Sequence, residues 1–246
     1  MIPKAKLKWI KSLQVKKYRQ AEQCFLVQGS KGVMELLQSS YEVVLLAATA
    51  ETISSFPKHL LKKPTECFVV SNAELESMSS FQSNDSAIAV AKMKVNSKPK
   101  FAPDEFILVL DDLRDPGNLG TIIRTADWFG IKNIVASPHT AEFYNPKTIS
   151  ATMGSFCRVQ LFYTELSILL TGYSGSIYGT FLSGRNIHEE NFGNGGVIII
   201  GNESNGISPA VELLVTNRIS IPGAGKTESL NAAIALGIVL DNVFRG

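Results

Sequence analysis

Short apolar runs, each closed by a turn-forming segment, divide this chain of 246 residues. Runs of four to six apolar residues bounded by glycine, proline or asparagine predict strands, and apolar residues spaced three and four apart predict helices. In the first part of the chain, strands are predicted at 24–27, 43–48, 67–70 and 87–92, and helices at 4–20, 32–38 and 72–78, with a helical or irregular stretch at 56–61. This alternation predicts a small α/β unit.

A second alternation begins at residue 105. It predicts strands at 106–110, 133–136, 159–162, 176–181, 197–200 and 218–221, and helices at 119–129, 145–153, 164–170, 209–214 and 229–244. Strands separated by helices predict a mostly parallel sheet with helices on both faces. The intervening VNSKPKFAP (95–103) has two prolines and no periodicity, so it is predicted to be a linker. We therefore expect domains at 1–95 and 105–246, joined by residues 96–104.

Composition narrows the class of protein. Hydrophobic residues make up 45% of the chain, which predicts a globular protein with a substantial core. The first residues lack the apolar stretch of a signal peptide, and no apolar run is long enough to span a bilayer. The three cysteines and three histidines are scattered, which argues against a disulfide framework or a metal site. We therefore expect a cytoplasmic protein without a metal and without a membrane partner.

Charge is concentrated at the start of the chain. Residues 1–31 contain eight basic residues and one acidic residue, a net charge of +7. Such a segment is either the solvated face of an amphipathic helix or a contact for a polyanion such as RNA. Lys16, Lys17 and Arg19 are the candidate RNA-binding residues.

Three predicted strands of the second domain end in loops of small residues, at 180–184, 201–206 and 221–226. Loops that meet at one edge of a parallel sheet form a pocket for a small cofactor. GKT at 225–227 does not complete a P-loop, because Ser220 stands where that motif needs glycine. Glu203 would place a carboxylate in the pocket, or would be a solvated turn residue.

Arg124 interrupts the apolar pattern of the helix predicted at 119–129. A buried arginine requires a partner. Arg124 is therefore either paired with Asp127 or another carboxylate, or held at the edge of a pocket.

Three motifs in order carry a family resemblance: NLGTIIRTA at 118–126, GNESNG at 201–206, and IP at 221–222 followed by ESLN at 228–231. Together they resemble the SpoU/TrmH family of RNA ribose methyltransferases, in the SPOUT class. KYRQAEQCFLVQG at 17–29 resembles the substrate-binding domain, similar to ribosomal protein L30e, that precedes the catalytic domain in many rRNA-directed members. Gly223 departs from the methionine that is usual in the family at that position.

The resemblance implies a trefoil knot in the C-terminal domain, a homodimer, and S-adenosylmethionine as cofactor. By position, Gly201, Ile221 and Leu230 would bind the cofactor, with Thr180 and Leu182 as further candidates. The implied reaction is methyl transfer to a ribose 2′-hydroxyl of RNA, with rRNA of the 23S type as the expected substrate. Catalysis would rest on a larger set of residues: Arg124, Asn118, Glu203, Ser229 and Asn231.

Several alternatives stay open at the level of sequence. Arg124 matches the residue proposed in the family as general base, although guanidinium stays protonated in proteins, so it either acts as base or only orients ribose and phosphate. Ser229 would bind a phosphate or cap the last helix. A tRNA ribose methyltransferase, an RNA base methyltransferase of a sister group and a non-catalytic RNA-binding protein are the alternative functions.

Overall fold

A computed structural model describes residues 2–79, 86–102 and 104–245. Pro103, which belongs to the predicted linker, lies outside the described residues. The helices are α1 Lys4–Ser12, α2 Lys16–Glu22, α3 Ser30–Gln38, α4 Ala50–Ser55, α5 Asn72–Met78, α6 Pro116–Trp128, α7 Pro146–Ala151, α8 Leu166–Thr171, α9 Pro209–Glu212 and α10 Ala232–Val243. The strands are β1 Cys24–Gln28, β2 Val43–Ala48, β3 Glu66–Val69, β4 Ala87–Lys92, β5 Phe106–Leu110, β6 Asn133–Ala136, β7 Gln160–Tyr163, β8 Ile177–Asn186, β9 Gly196–Ile200 and β10 Asn217–Ser220.

The chain divides into two compact units: one comprises residues 1–95 and 143–157, and the other residues 96–142 and 158–246. The predicted α/β class is confirmed. None of the helices within the described ranges combines the length and the apolar character that a bilayer crossing requires.

The first unit is built on a sheet with the strand order β1-β4-β2-β3. Strand β4 runs antiparallel to both β1 and β2, whereas β2 and β3 are parallel. The core contains side chains from α1, α5 and three strands: Ile10, Leu13, Leu26, Leu45, Leu75, Met78, Ile88 and Val90.

The helix predicted at 4–20 is two helices, because Arg19 holds the turn between them. Arg19 is 1% exposed, and its Nη1 donates to the carbonyls of Leu13 and Gln14 at 2.9 and 2.7 Å. In a continuous helix those carbonyls would accept backbone N–H groups four residues later. This position corrects the prediction that Arg19 contacts RNA, since its guanidinium is committed to the interior. Lys16 and Lys17 are exposed on α2.

Residues 143–157, which were predicted to belong to the second domain, pack within the first unit. The Tyr144 and Phe156 rings lie 4.5 and 5.9 Å from the ring of Phe25 on β1. Tyr144 also accepts a hydrogen bond from the Lys94 backbone N–H at 2.9 Å, and Tyr41 lies beside it. Burial raises the pKa of Tyr41, and neighbouring Tyr144 raises it further. The aromatic side chains of this segment therefore fill the first unit, although its neighbours in sequence belong to the second.

The second unit is a sheet with the order β10-β8-β9-β5-β6-β7, in which every neighbouring pair is parallel. The central strands β5 and β9 are almost wholly buried, as expected for continuous apolar runs. Helices α6 and α10 pack against one another. The strands' carboxyl ends lie at one edge, and the segments that follow β9 and β10 carry six of the predicted site residues: Gly201, Glu203, Ile221, Ser229, Leu230 and Asn231. The loop predicted at 180–184 is instead part of β8, so Thr180 and Leu182 lie on that strand.

Candidate functional site

Asn118 links two distant motifs at the carboxyl edge of the second unit's sheet. Its Nδ2 donates to Oε1 of Glu203 at 2.6 Å, and its Oδ1 accepts from Nδ2 of Asn231 at 3.0 Å. These partners lie 85 and 113 residues away along the chain. Three of the predicted catalytic residues therefore form one hydrogen-bonded row.

Helix caps fix two members of this row, Asn118 and Asn231. Asp115 caps α6 by accepting from the backbone N–H of Asn118 at 2.8 Å, and Pro116 occupies the first helical position. Asn231 caps α10, since its Oδ1 accepts from the N–H groups of Ala233 and Ile234. The Asn231 side chain therefore caps the N-terminus of α10 with its oxygen and donates to Asn118 with its nitrogen.

The loop that carries Glu203 is closed by its own backbone. Asn202 and Gly206 exchange two backbone hydrogen bonds of 2.9 Å, and the Asn202 side chain accepts from the N–H groups of Ser204 and Asn205. A Cβ at Gly201 would lie 2.3 Å from the backbone carbon of Gly206, so only glycine fits there. The tight fold of the loop presents Glu203 to solvent beside Asn118.

Asp111 and Asp112, neither of which is among the predicted site residues, fix this loop to the end of β5. Buried Asp111 accepts from the Ser208 N–H at 2.7 Å, and the Asp112 carbonyl accepts from Nδ2 of Asn202 at 2.7 Å. Asp112 has a φ of +56°, a conformation that costs a non-glycine residue roughly 1–2 kcal/mol. Two adjacent acidic residues directly after a buried strand were the available signal.

Arg124 lies exposed on α6, and its side chain makes no hydrogen bond or ion pair with any residue that the structure describes. Asp127, the carboxylate expected to neutralise it, instead binds Arg158 at 2.9 Å. The alternative of a structural salt bridge to Asp127 is therefore wrong. The guanidinium group of Arg124 is therefore accessible to a substrate.

Ser229 is exposed and lies two residues before the Asn231 cap, so its alternative role as N-cap of the last helix is also wrong. In the described part of the chain, its side chain joins no hydrogen bond to the row of Asn118, Glu203 and Asn231. Its assignment as a catalytic residue stays a prediction.

Two of the predicted cofactor residues, Ile221 and Leu230, lie at the ends of an open stretch of backbone. Residues 222–230 are exposed, and the backbone groups of 221–230 form no backbone hydrogen bonds with described residues. Leu230 and Leu182 are 47% and 81% exposed, an unusual position for leucine. Thr180 donates to the Ile199 carbonyl at 3.0 Å, at the end of β9 near Gly201. Free backbone donors and acceptors beside exposed leucines suit a ligand with both polar and apolar parts, such as S-adenosylmethionine.

A cavity of about 330 Å³ lies elsewhere, where β5, β6 and β9 begin. Its lining includes the rings of Phe106, Phe129 and Phe244, but none of the predicted site residues. Within residues 2–79, 86–102 and 104–245, no group of three or more histidine, cysteine or acidic side chains could hold a metal ion.

Comparison with known proteins decides the family. Residues 105–241 match the model of the SpoU rRNA Methylase family, and residues 4–89 match the MRM3-like substrate binding domain. The chain belongs to the SpoU rRNA methylase family. It is therefore an RNA methyltransferase, and the predicted family is confirmed.

Relatives of this SpoU methylase match along nearly its whole length. The 23S rRNA (guanosine(2553)-2′-O)-methyltransferase RlmP of Bacillus subtilis is 30% identical over 96% of this chain and 94% of its own length. A TrmH-family protein of Porphyromonas gingivalis has a structure with a TM-score of 0.88 and 33% identity, covering 100% of this chain and 99% of that one. An rRNA methyltransferase of Sinorhizobium meliloti, solved with AdoMet bound, has a TM-score of 0.84 and 25% identity, covering 100% of this chain and 96% of that one. The predicted cofactor, S-adenosylmethionine, is confirmed for the family.

Proposed function

We propose that this SpoU methylase transfers a methyl group from S-adenosylmethionine to a ribose 2′-hydroxyl of 23S-type rRNA. The observation that carries the proposal is the hydrogen-bonded row Glu203–Asn118–Asn231, which contains one residue from each of the three family motifs. Its middle residue, Asn118, lies on α6, the helix that also bears Arg124. The relative from Bacillus subtilis, named as a 23S rRNA 2′-O-methyltransferase, supports the rRNA substrate.

The cofactor, when bound, supplies an electrophilic methyl group. The RNA 2′-hydroxyl would exchange its proton for this methyl group, with the proton passing to solvent and the thioether form of the cofactor as the leaving group. A free ribose hydroxyl is a weak nucleophile, so the protein must orient it and favour loss of its proton. The loops at 201–206 and 221–230, with Ile221, Leu230, Thr180 and Leu182, would hold the cofactor.

Arg124 orients the RNA in this scheme. Guanidinium stays protonated in proteins, so it suits the ribose oxygen and an adjacent phosphate better than it suits proton abstraction. Asn118 and Glu203 position the hydroxyl. Ser229 and the N-terminus of α10, a helix of 12 residues, would receive a phosphate.

The proposal also covers RNA binding by the first domain, a homodimer, a trefoil knot and the cellular location. Residues 1–95 would bind RNA through Lys16 and Lys17. A homodimer is supported by Trp128 and Ile234, which are 85% and 58% exposed on the two packed helices α6 and α10. A trefoil knot is supported by the path of the chain after edge strand β10. The last helix, α10, returns to pack against α6, the helix that follows central strand β5. Among the described residues, Cys24, Cys67 and Cys157 form no disulfide, which is compatible with the reducing cytoplasm, the proposed location.

The test is transfer of labelled methyl from S-adenosylmethionine to isolated rRNA and tRNA, followed by nuclease digestion to nucleosides. Label on a 2′-O-methylnucleoside from rRNA supports the proposal. Label on a base supports the sister reaction, label in tRNA alone changes the substrate, and RNA binding without transfer supports the non-catalytic alternative. Arg124→Ala and Arg124→Lys should lose transfer while calorimetry shows unchanged cofactor affinity, because the proposed cofactor contacts come from other loops.

A further inference from the structure

The loop after β5 contains an ion pair to which the scheme above gives no role. Arg114 binds Asp112 side-on, with Nε and Nη2 donating to the two carboxylate oxygens at 3.0 and 2.9 Å. The hydrogen bond and the charge of Asp112 raise the pKa of Arg114. The pair lies between the end of β5 and the Asp115 cap of α6.

Asp112 is fixed from three sides. Its backbone N–H donates to Oγ of Ser137 at 2.8 Å, its carbonyl accepts from Asn202, and its carboxylate holds Arg114. Its left-handed backbone is maintained by these partners, two of which, Ser137 and Asn202, come from the ends of β6 and β9. Left-handed non-glycine residues held by their surroundings are concentrated at functional sites.

Stability does not explain this arrangement. The Arg114 side chain is 68% exposed and the Asp112 side chain 23% exposed. An ion pair as exposed as this one stabilises a fold very little. The pair instead fixes the orientation of the Arg114 guanidinium group, which would otherwise rotate freely.

The Arg114 guanidinium group retains hydrogen-bond donors for a ligand. Side-on binding uses Nε and one hydrogen of Nη2, which leaves both hydrogens of Nη1 and the second hydrogen of Nη2. Their natural partner beside a ribose-binding site is a phosphate, which arginine binds in a bidentate manner. Arg114 lies four residues before Asn118, and Asp112 is bonded to the loop that carries Glu203.

We propose that Arg114 contacts a phosphate of the RNA substrate at the rim of the active site, and that Asp112 is the positioning residue that aims it. This inference rests on the proposed function. It adds a contact to the RNA that the family motifs do not contain.

The test uses the full-length protein and a matched pair of variants, Arg114→Gln and Arg158→Gln. Arg158 forms the same kind of exposed pair, with Asp127, but lies before β7 at the opposite edge of the sheet. Arg114→Gln should raise the KM for RNA about tenfold at an almost unchanged kcat. It should also lower the slope of log Kd against log salt by about 0.7 to 0.9, the value for one phosphate contact. Arg158→Gln should leave both quantities at their wild-type values.

Asp112→Asn tests the orientation of Arg114 separately from its positive charge, which this variant keeps. Asparagine also tolerates the left-handed backbone, so the variant should fold. It should raise the KM for RNA severalfold with an unchanged salt slope, because no cation is lost. Calorimetry with S-adenosylmethionine should give the wild-type Kd in all three variants.

Two results would overturn the inference: a wild-type KM and salt slope in Arg114→Gln, or equal losses in Arg114→Gln and Arg158→Gln. Both leave the proposed function intact, since wild-type transfer to ribose is measured first. An inactive wild-type protein would instead contradict the proposed function itself.

Discussion

Asn231 performs two tasks with two atoms, so its variants separate stability from activity. Asn231→Ala removes the cap of α10 and the hydrogen bond to Asn118 together. Asn231→Asp keeps an oxygen for the Ala233 and Ile234 N–H groups, but places a second oxygen against Oδ1 of Asn118. The acidic variant therefore keeps the cap and breaks the row.

The magnitudes follow from these contacts. Loss of a cap costs about 1 kcal/mol, which lowers the Tm of a protein of this size by about 2–4 °C. Asn231→Ala should show this loss, and Asn231→Asp should stay near wild type because aspartate caps as well as asparagine. Both variants should lose at least about tenfold in kcat, equivalent to about 1.4 kcal/mol of barrier, because Asn118 and Glu203 lose their alignment.

Thermal denaturation and labelled methyl transfer measure the two effects separately. Full activity in Asn231→Asp would refute the role of the row. An equal fall in Tm for both variants would refute the assignment of Asn231 as the cap.

Three further predictions test other parts of the structure. Arg19→Ala should lower the free energy of unfolding in urea by about 1–3 kcal/mol or more, because two backbone carbonyls lose their buried donor; a stability equal to wild type would contradict its place in the core. The raised pKa of Tyr41 means that its neutral form stabilises the fold, so the free energy of unfolding should fall as pH rises above about 10, and Tyr41→Phe should make that fall shallower; an unchanged fall would argue against the burial of this hydroxyl. Gly201→Ala should cost about 1–3 kcal/mol and weaken S-adenosylmethionine binding, because its Cβ would meet the backbone of Gly206; Gly237→Ala, which meets nothing within 4 Å, is the control and should be neutral or stabilising.

Most strands could be predicted from the sequence because their apolar runs are continuous. The strands at 43–48, 87–92, 106–110 and 133–136 have the predicted bounds. Helix ends were harder to predict, since caps depend on single side chains. Asp115 starts α6 three residues before the predicted helix, and Asn231 starts α10 three residues after the predicted one.

Contacts between distant residues could not be predicted from periodicity. The pattern at 4–20 is compatible with one helix, and only the buried Arg19 shows why there are two. The aromatic residues of 143–157 belong to the first unit through packing that sequence order does not indicate.

The family motifs predicted Asn118, Glu203 and Asn231 as site residues, but not the hydrogen bonds between them. Asn118 bonds to both of the others only in the folded chain. Asp112 and Arg114 lay outside the motifs, so their pairing at the same edge became visible only in the structure.

Mapping of 2′-O-methyl positions in cellular RNA tests whether this protein methylates a ribose of 23S-type rRNA. RNA from cells that contain the protein should be compared with RNA from cells that lack it, and with RNA from cells that carry Arg124→Ala. We predict one 2′-O-methylated nucleotide in the large-subunit rRNA that is present only with the wild-type protein. Identical maps in all three samples, or a difference confined to a base or to tRNA, would contradict it.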